Sequence, residues 1–454
     1  MKNPQTAVVL IALLLCSVIR ATPQSQPQFG GYDRDRGREI LKIIKEDLEE
    51  NYYDPHFHGM NLNERFKTAR EKISAASSNG QIFGIIAQLL TDLNDSHTFF
   101  VPPDRVVDTD YGWEMQMIGN ACYVVDVTPG SDAETKGVKV GDEVWSIDGF
   151  EPTRENLWKI RYSYYTLKPR PGMRLVLRTP AGEEHEIAIA ARIIKGRERA
   201  LLAGQAQLLE DSRFHEIGKD LIIWKLPTFE IDAKQIDEAL KRVQPFPSLV
   251  LDLRGNSGGY EDILLRLLGC LFDHDVKIGE ITRRKGSKPL IAKVRKQGSY
   301  GGRLVVLIDS DSASASEVFA RTIQLEKRGT IIGDRSEGAV MRAMVFGEAD
   351  VVGGAGFDLM KVTPFAVSIT DADIVMPDGH SLEGVGVSPD ELLIPKATDL
   401  ARRCDPVLAR ALALLNGSVD PCEAGAFFPT IRLKLEEDRN DKKKKDKKSS
   451  PEKP

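Results

Sequence analysis

Three serines stand in the short run from Asp311 to Glu317, after the apolar segment Leu304 to Ile308 and before a helical pattern that starts at Val318. This order predicts a buried strand, a turn and a helix, so the serines would lie at a helix amino terminus. Unpaired N–H groups and the positive end of the helix dipole favour an alkoxide or a tetrahedral oxyanion there. Taken alone, the run indicates either a nucleophile or a helix cap.

A second glycine-rich turn follows the apolar run from Leu249 to Leu253 and ends at Gly258 and Gly259. The pattern predicts a buried parallel strand whose carboxyl end opens into a loop. Glycines let the backbone approach another backbone or a ligand closely, and loops at this edge of an open α/β sheet usually build the site. An isolated glycine pair is equally typical of an ordinary turn.

The two motifs, Leu-Asp-Leu-Arg-Gly-Asn-Ser-Gly-Gly and Ser-Ala-Ser-Ala-Ser-Glu, lie about fifty residues apart and in this order. Together they resemble the S41 family of serine peptidases, the carboxyl-terminal-processing and tricorn-like proteases. The resemblance implies that the middle serine, Ser314, is the nucleophile. It also implies that Gly258 or Gly259, together with Ala315, supplies the N–H groups of an oxyanion hole.

The group that activates the serine is the next question, because a serine hydroxyl is a weak nucleophile near neutral pH. The processing-protease branch of the family uses a lysine twenty-five residues after the serine, and this chain has Ala339 there. The tricorn-like branch uses a histidine supported by a carboxylate. Leu-Asn-Asp-Ser-His-Thr resembles its histidine element and implies His97 as general base. Glu-Gly-Val-Gly-Val-Ser-Pro-Asp resembles its acidic element and implies that Glu383 orients the imidazole.

No cofactor is implied by this chemistry, and we expect no metal. His56 and His58 form a His-x-His pair, but no cysteine or carboxylate set accompanies them at ligand spacing. No cysteine stands near a base motif, which argues against a thiol nucleophile. The formal net charge of −5 over 454 residues does not suggest a nucleic-acid partner.

The two ends of the chain have the composition of a targeting segment and a tail. Residues 1–21 combine a lysine, an apolar stretch of about thirteen residues and a small residue at the expected cleavage point. They predict a signal peptide and no integral membrane span in the mature chain. Residues 433–454 are almost wholly charged or turn-forming and predict a disordered tail. We expect an exported protein, periplasmic or extracellular, with membrane association left open.

Between the ends, the patterns predict an α/β protein with an S41-type core of a mixed sheet flanked by helices. Residues 30–105 show helical spacing and form a cap that carries His97, residues 196–400 alternate strands and helices as the catalytic core, and residues 401–432 form a C-terminal helical segment. An exported protein could pair Cys404 with Cys422, although sequence does not decide the pairing.

Residues 106–195 carry short strands and resemble a PDZ domain inserted into this core. PDZ domains bind an extended peptide by adding it to a sheet edge. The loop expected to meet the peptide reads Tyr111-Gly112-Trp113-Glu114, and Glu114 would oppose a terminal carboxylate.

These observations favour an exported serine endopeptidase that cleaves unfolded or extended protein or peptide substrates, with PDZ assistance. The absent lysine leaves an alternative open, an inactive S41-like protein that binds peptides or apolar ligands. Whether the chain forms a homo-oligomer is not decided by its sequence.

Overall fold

The computed structural model describes residues 29–103, 107–196, 213–295, 299–347 and 365–428. The predicted signal peptide at 1–21 and the predicted tail at 433–454 lie outside the described residues. Within the described ranges, no helix is both long and apolar enough to cross a bilayer.

Three helices open the described chain and pack their apolar faces into one core. Asn61 and Ser78 begin the second and third of them, since each side chain accepts a hydrogen bond from a first-turn amide. A short 3₁₀ turn and a strand complete the region, whose elements are α1 (Gly31–Asn51), the turn Phe57–Gly59, α2 (Leu62–Ser74), α3 (Asn79–Thr91) and β1 (Phe99–Val101). His97 lies between α3 and β1, so the pairing of β1 with the rest of the molecule determines where the histidine is held.

A β-rich unit follows, built on an antiparallel five-stranded sheet with the order β3-β4-β5-β6-β7 and a separate two-stranded ribbon of β2 and β8. Its side chains alternate between buried and exposed along the strands, as expected when one face of a sheet covers a core. The elements are β2 (Val107–Asp110), β3 (Trp113–Ile118), β4 (Ala121–Val127), α4 (Asp132–Thr135), β5 (Glu143–Ile147), α5 (Leu157–Arg161), the π-helical turn Tyr162–Leu167, β6 (Gly172–Arg178), β7 (Glu184–Ala190) and β8 (Arg192–Lys195). We call residues 107–196 the inserted unit.

The remaining chain alternates strands and helices, which confirms the predicted α/β fold class. Its elements are β9 (Arg213–Ile217), β10 (Leu221–Lys225), α6 (Ala233–Val243), β11 (Ser248–Asp252), α7 (Glu261–Leu268), β12 (Val276–Arg283), β13 (Gly286–Ala292), β14 (Arg303–Ile308), α8 (Ala315–Leu325), β15 (Thr330–Gly333), β16 (Arg342–Gly347), β17 (Ala366–Val375), β18 (Glu391–Leu392), α9 (Ala397–Ala401), α10 (Pro406–Leu414) and α11 (Pro421–Ala424).

The central sheet has six strands in the order β18-β15-β14-β11-β10-β9, parallel except for the edge strand β9. All five residues of β11 are buried, because apolar clusters cover both faces of the sheet. The loops that leave β11 and β14 therefore emerge at the same edge. One carries Gly258 and Gly259, and the other carries Ser314.

A second, antiparallel sheet has the order β1-β17-β12-β13, with β16 also paired to β17. In this sheet Phe99 pairs with Ser368 of β17. The sheet thus joins the strand after His97 to the long strand that precedes Glu383, although the two lie far apart in sequence.

The inserted unit is fastened to the core by buried polar contacts. The Arg154 guanidinium lies 2.6 Å from Asp334 and also donates to the carbonyls of Gly119 and Arg335, at 2.7 and 3.0 Å. The side chains of Arg154 and Asp334 are only 10% and 9% exposed. A charge removed from water this far depends on its partner for solvation.

The C-terminal segment contacts the strand that leads into the glycine loop. Cys404 and Cys422 form a disulfide, which was one pairing left open by the sequence. The neighbouring Asp405 makes a bidentate pair with Arg254, at 2.9 and 2.7 Å. Arg254 also pairs with the fully buried Asp252 of β11. The disulfide therefore ties the segment at the point where it contacts the core.

We predict that Arg154→Ala lowers the free energy of unfolding by about 3 kcal/mol, because the buried Asp334 carboxylate loses its counter-charge. Urea denaturation measures this change. Arg174→Ala is the matched control, since the Arg174 and Glu186 side chains are 62% and 59% exposed and such pairs contribute about 0–1 kcal/mol. Equal effects of the two substitutions would contradict the prediction.

We predict that reducing the Cys404–Cys422 disulfide lowers the free energy of unfolding by roughly 3 kcal/mol, since the bond closes a short loop. Denaturation with and without reductant measures it. The double variant Cys404→Ser, Cys422→Ser should be insensitive to reductant, because Cys122 and Cys270 are free buried thiols. If reductant still lowered the free energy of unfolding of the double variant, the effect would not come from this disulfide.

Candidate active site

Ser314 occupies the turn between β14 and α8 with a backbone conformation that few side chains adopt. Its φ is 53° and its ψ is −117°, a region that costs on the order of 1–3 kcal/mol for a non-glycine residue. Gly258 packs against this turn, and a Cβ on Gly258 would lie 2.6 Å from the Ser314 Cβ and 3.0 Å from the Ala315 nitrogen. The glycine is needed because no side chain fits between the two loops.

Asn256 attaches the glycine loop to the serine turn. It is fully buried, and its carbonyl accepts from the Ala313 amide at 3.0 Å and from the Ser316 hydroxyl at 2.8 Å. Its side-chain oxygen accepts from the Gly258 amide at 2.9 Å. The Gly258 N–H is therefore already used, which shifts the predicted oxyanion role to Gly259.

Among the described residues, the Gly259 and Ala315 amides donate no hydrogen bond to protein. Ala315 is the first residue of α8, where an unpaired N–H and the helix dipole coincide. An oxyanion hole formed by Gly259 and Ala315 stays a prediction, and these two are the available donors of the predicted set.

Glu317 holds the serine turn to the segment after β15. The side chain is buried in α8, and one oxygen accepts from the Ser336 hydroxyl at 2.5 Å and the Gly338 amide at 2.8 Å. The other accepts from the amides of Ala339 at 2.9 Å and Ser314 at 3.0 Å. Burial raises the pKa of Glu317 to about 7, while the four donors favour its charged form.

His97 and Glu383 do come together, but through a third residue. The Ser96 hydroxyl lies 2.6 Å from His97 Nδ1 and donates to Glu383 Oε2 at 2.9 Å, while the Ser96 amide donates to Glu383 Oε1 at 2.9 Å. Glu383 was predicted to orient the imidazole, and the structure puts the Ser96 hydroxyl between the carboxylate and the ring. The carboxylate acts on the ring through a hydroxyl relay.

When Glu383 is ionised, this relay favours one histidine tautomer. A serine hydroxyl has one hydrogen, and Ser96 gives it to Glu383. The Ser96 oxygen can then only accept, so the proton of neutral His97 lies on Nδ1. The ring nitrogen Nε2 is left with a lone pair, which is the form a general base requires.

Burial shifts the acid–base properties of both groups. It lowers the pKa of His97, an effect that the nearby Asp95 opposes. Burial raises the pKa of Glu383, while the amides of Val340 and Ser96 and the Ser96 hydroxyl oppose the rise. Burial thus favours the neutral form of His97, which is the form that can accept a proton.

The serine turn connects to this relay through two consecutive residues. The Ser314 amide donates to the Ala339 carbonyl at 2.8 Å, and the next amide, that of Val340, donates to Glu383 Oε2 at 2.9 Å. His97 and Ser314 both lie in the part of the chain that the structure describes, and no hydrogen bond joins them in this conformation. Catalytic hydrogen bonds are often long without substrate and shorten when it binds.

The loop predicted to bind peptide in the inserted unit is largely internal. The side chains of Tyr111 and Trp113 are 1% and 2% exposed and pack in the core of the unit, and Gly112 is also buried. Glu114 is exposed. Peptide binding here stays a prediction, and the buried tyrosine and tryptophan side chains cannot contact a peptide in this conformation.

The sequence interpretation missed three residues that hold the site together: Ser96, Asn256 and Glu317. Each lies inside a quoted motif, but its partners are distant in the chain. Of the His-x-His pair, His58 has a structural role, since its ring bonds to the Leu93 carbonyl and the Tyr53 hydroxyl. In the described ranges, no three histidine, cysteine, aspartate or glutamate side chains are grouped as a metal site requires.

Known proteins with similar sequences include processing proteases. The C-terminal processing peptidase, chloroplastic, of Tetradesmus obliquus is 26% identical over 399 residues, which cover 79% of this chain and 78% of the relative. The carboxyl-terminal-processing protease of Synechocystis sp. is 22% identical over 368 residues, covering 77% and 81%.

Solved structures share the fold. Mature CPAF aligns with a TM-score of 0.61 at 16% identity, covering 82% of this chain and 94% of that one. The photosystem II D1 C-terminal processing protease aligns with a TM-score of 0.50 at 21% identity, covering 79% and 93%. The model of peptidase family S41 matches residues 221–393, which include the serine turn, the glycine loop and Glu383. Residues 221–393 are thus similar to the serine peptidases of family S41, and the similarity to processing proteases extends over more than three quarters of the chain.

Proposed function

We propose that this peptidase is an exported endopeptidase that cleaves unfolded or extended protein segments, with Ser314 as nucleophile and His97 as general base. The observation that carries the proposal is the relay from Glu383 through Ser96 to His97 Nδ1. It leaves Nε2 unprotonated, as base catalysis requires, in a chain that has no lysine at the position the processing branch uses. A binding protein would have no need for this arrangement.

In the proposed reaction, His97 Nε2 takes the hydroxyl proton of Ser314 as its oxygen attacks the substrate carbonyl carbon. The tetrahedral oxyanion accepts hydrogen bonds from the amides of Gly259 and Ala315, each contributing roughly 3 kcal/mol. The imidazolium gives its proton to the leaving amine when the peptide bond breaks. A water molecule then repeats the sequence and releases the acyl group from Ser314.

Glu383 stabilises the imidazolium without touching it. When Nδ1–H and Nε2–H are both present, the ring is positive and Nδ1–H still donates to Ser96. Ser96 donates in turn to the carboxylate, so negative charge lies at the end of a two-bond chain. Ser96 is thus proposed as a fourth member of the catalytic set.

The substrate class follows from the inserted unit and from family resemblance. A PDZ-like unit would hold an extended chain by main-chain hydrogen bonds at a sheet edge, which suits unfolded segments of varied sequence. The disulfide supports export, because such bonds persist in oxidising compartments.

Ser314→Ala is expected to reduce cleavage of casein by roughly 10⁴-fold or more, because the nucleophile is removed while the fold is retained. Release of acid-soluble peptides measures the rate. Ser74→Ala is the control, since Ser74 is an exposed residue at the end of α2 whose hydroxyl donates to the Arg70 carbonyl and accepts from the Arg38 guanidinium. Failure of the unmodified chain to cleave any unfolded protein would instead support a binding protein.

Ser96→Ala is expected to lower kcat by about 10- to 100-fold with little change in KM, since a hydrogen bond to a charged group contributes about 1.5–3 kcal/mol. Steady-state kinetics on a fluorogenic peptide measures both constants. Ser96→Thr retains the hydroxyl and should recover most of the rate. A Ser96→Ala enzyme with unchanged kcat would remove Ser96 from the mechanism.

A further inference from the structure

Asp95 is a buried carboxylate two residues before His97, and the mechanism above does not use it. Its side chain is only 3% exposed. Burying an ionised carboxylate is costly unless hydrogen bonds replace its water. The contacts that replace that water show what this carboxylate does.

The carboxylate accepts four hydrogen bonds that originate from three elements. Oδ1 accepts from the His97 amide at 3.0 Å, the Thr98 amide at 2.7 Å and the Thr370 hydroxyl of β17 at 2.8 Å. Oδ2 accepts from the hydroxyl of Tyr52 at the end of α1, at 2.7 Å. One side chain therefore joins the backbone of the histidine itself to the helical region and to the second sheet.

The packing around these contacts makes the arrangement rigid. The Thr98 hydroxyl donates to Thr370 Oγ1 and accepts from the Thr370 amide, both at 3.1 Å, and all three polar side chains in this group are buried. On the other side of the loop, Glu383 accepts a hydrogen bond from the Ser96 amide. The histidine loop is thus held between two carboxylates that accept consecutive main-chain amides.

The other charged or titratable groups around this loop differ in how they act on the ring. Glu383 reaches His97 through Ser96, while Tyr52 donates to Asp95 and stays neutral because burial and Asp95 raise its pKa. Tyr53 bonds to His58, whose other ring nitrogen bonds to the Leu93 carbonyl. Asp95 is the charged group whose field acts directly on the His97 ring, and it favours the protonated ring.

We propose that Asp95 is a positioning residue for the reaction, which aligns His97 through its main-chain amide and stabilises the imidazolium with its negative charge. This inference rests on the proposed function, in which His97 is the base. It assigns the site two carboxylates with separate tasks. Glu383 acts on the ring through the Ser96 hydroxyl, and Asp95 acts on the backbone and through its field.

The test is Asp95→Asn. The amide oxygen can still accept from the His97 and Thr98 amides, and its NH₂ can donate to the Tyr52 oxygen, so the loop is retained while the charge is lost. We expect kcat/KM to fall about 10- to 100-fold. The acid limb of its pH profile should move to lower pH by roughly one unit, because the imidazolium loses a nearby negative charge.

Tyr52→Phe is the matched variant, since it removes one hydrogen bond to Asp95 and keeps the charge. The Tyr52 hydroxyl offsets part of the negative charge of the carboxylate. Without it the ring experiences at least the same negative field, so the acid limb should stay in place or move to higher pH. A purely structural role would give both variants a lower rate and the same acid limb as the unmodified enzyme. That outcome would overturn the proposal.

NMR titration of the His97 ring separates this proposal from the proposed function, because it needs no catalysis. The signal is assigned by its absence in His97→Gln. Asp95→Asn should lower the titration midpoint, and Tyr52→Phe should not. An unmoved midpoint in Asp95→Asn overturns the inference even if Ser314→Ala abolishes cleavage. Should Asp95→Asn fail to fold, a lowered midpoint in Tyr52→Phe would still contradict it.

Discussion

The hydrogen bond from the Val340 amide to Glu383 joins the two halves of the active site. On one side, Ala339 accepts the amide of Ser314, and on the other, Glu383 accepts both donors of Ser96. Further hydrogen bonds join the same two segments, including that from the Gly384 amide to the Gly338 carbonyl at 2.7 Å, so the serine turn of the central sheet and the histidine loop of the second sheet share this support. The segment from Ser336 to Val340 is therefore the frame that holds both the turn of Ser314, the proposed nucleophile, and the loop of His97, the proposed base.

Buried carboxylates build this frame because they accept several main-chain amides at once. Glu317 accepts hydrogen bonds from three amides and a hydroxyl, and Asp95 accepts them from two amides and two hydroxyls. Burial of Glu317 favours the neutral acid, and its four hydrogen-bond donors favour the charged form. A hydrophobic residue could fill the same volume, but it could not fix the positions of amides from distant segments.

Two peripheral parts of the molecule also contact the loops that carry the chemistry. Arg161 of the inserted unit pairs with Asp311 at 2.9 Å, and Gln116 donates to Asp309 at 2.7 Å, both just before Ser314. From the other side, Asp405 holds Arg254 just before the glycine loop. Movement of the inserted unit or of the C-terminal segment would therefore change contacts near the nucleophile. These hydrogen bonds, together with those of the buried carboxylates, explain how a site made from separate loops keeps its geometry.

The sequence by itself determined the parts of this protein that depend on neighbouring residues. The turn at Ser314, the glycines that let two loops touch, and the α/β alternation all follow from local patterns of apolar and small residues. His97 and Glu383 were predicted because short motifs surround them, and their catalytic roles stay predictions. Tertiary structure alone decided that Ser96 lies between them, since that contact joins residues 287 positions apart. It also decided that the Asn256 carbonyl accepts from the Ala313 amide and the Ser316 hydroxyl, and that Tyr111 and Trp113 are buried in the inserted unit. A motif specifies which groups are present, but the partner of a buried hydrogen bond depends on how distant segments fold together.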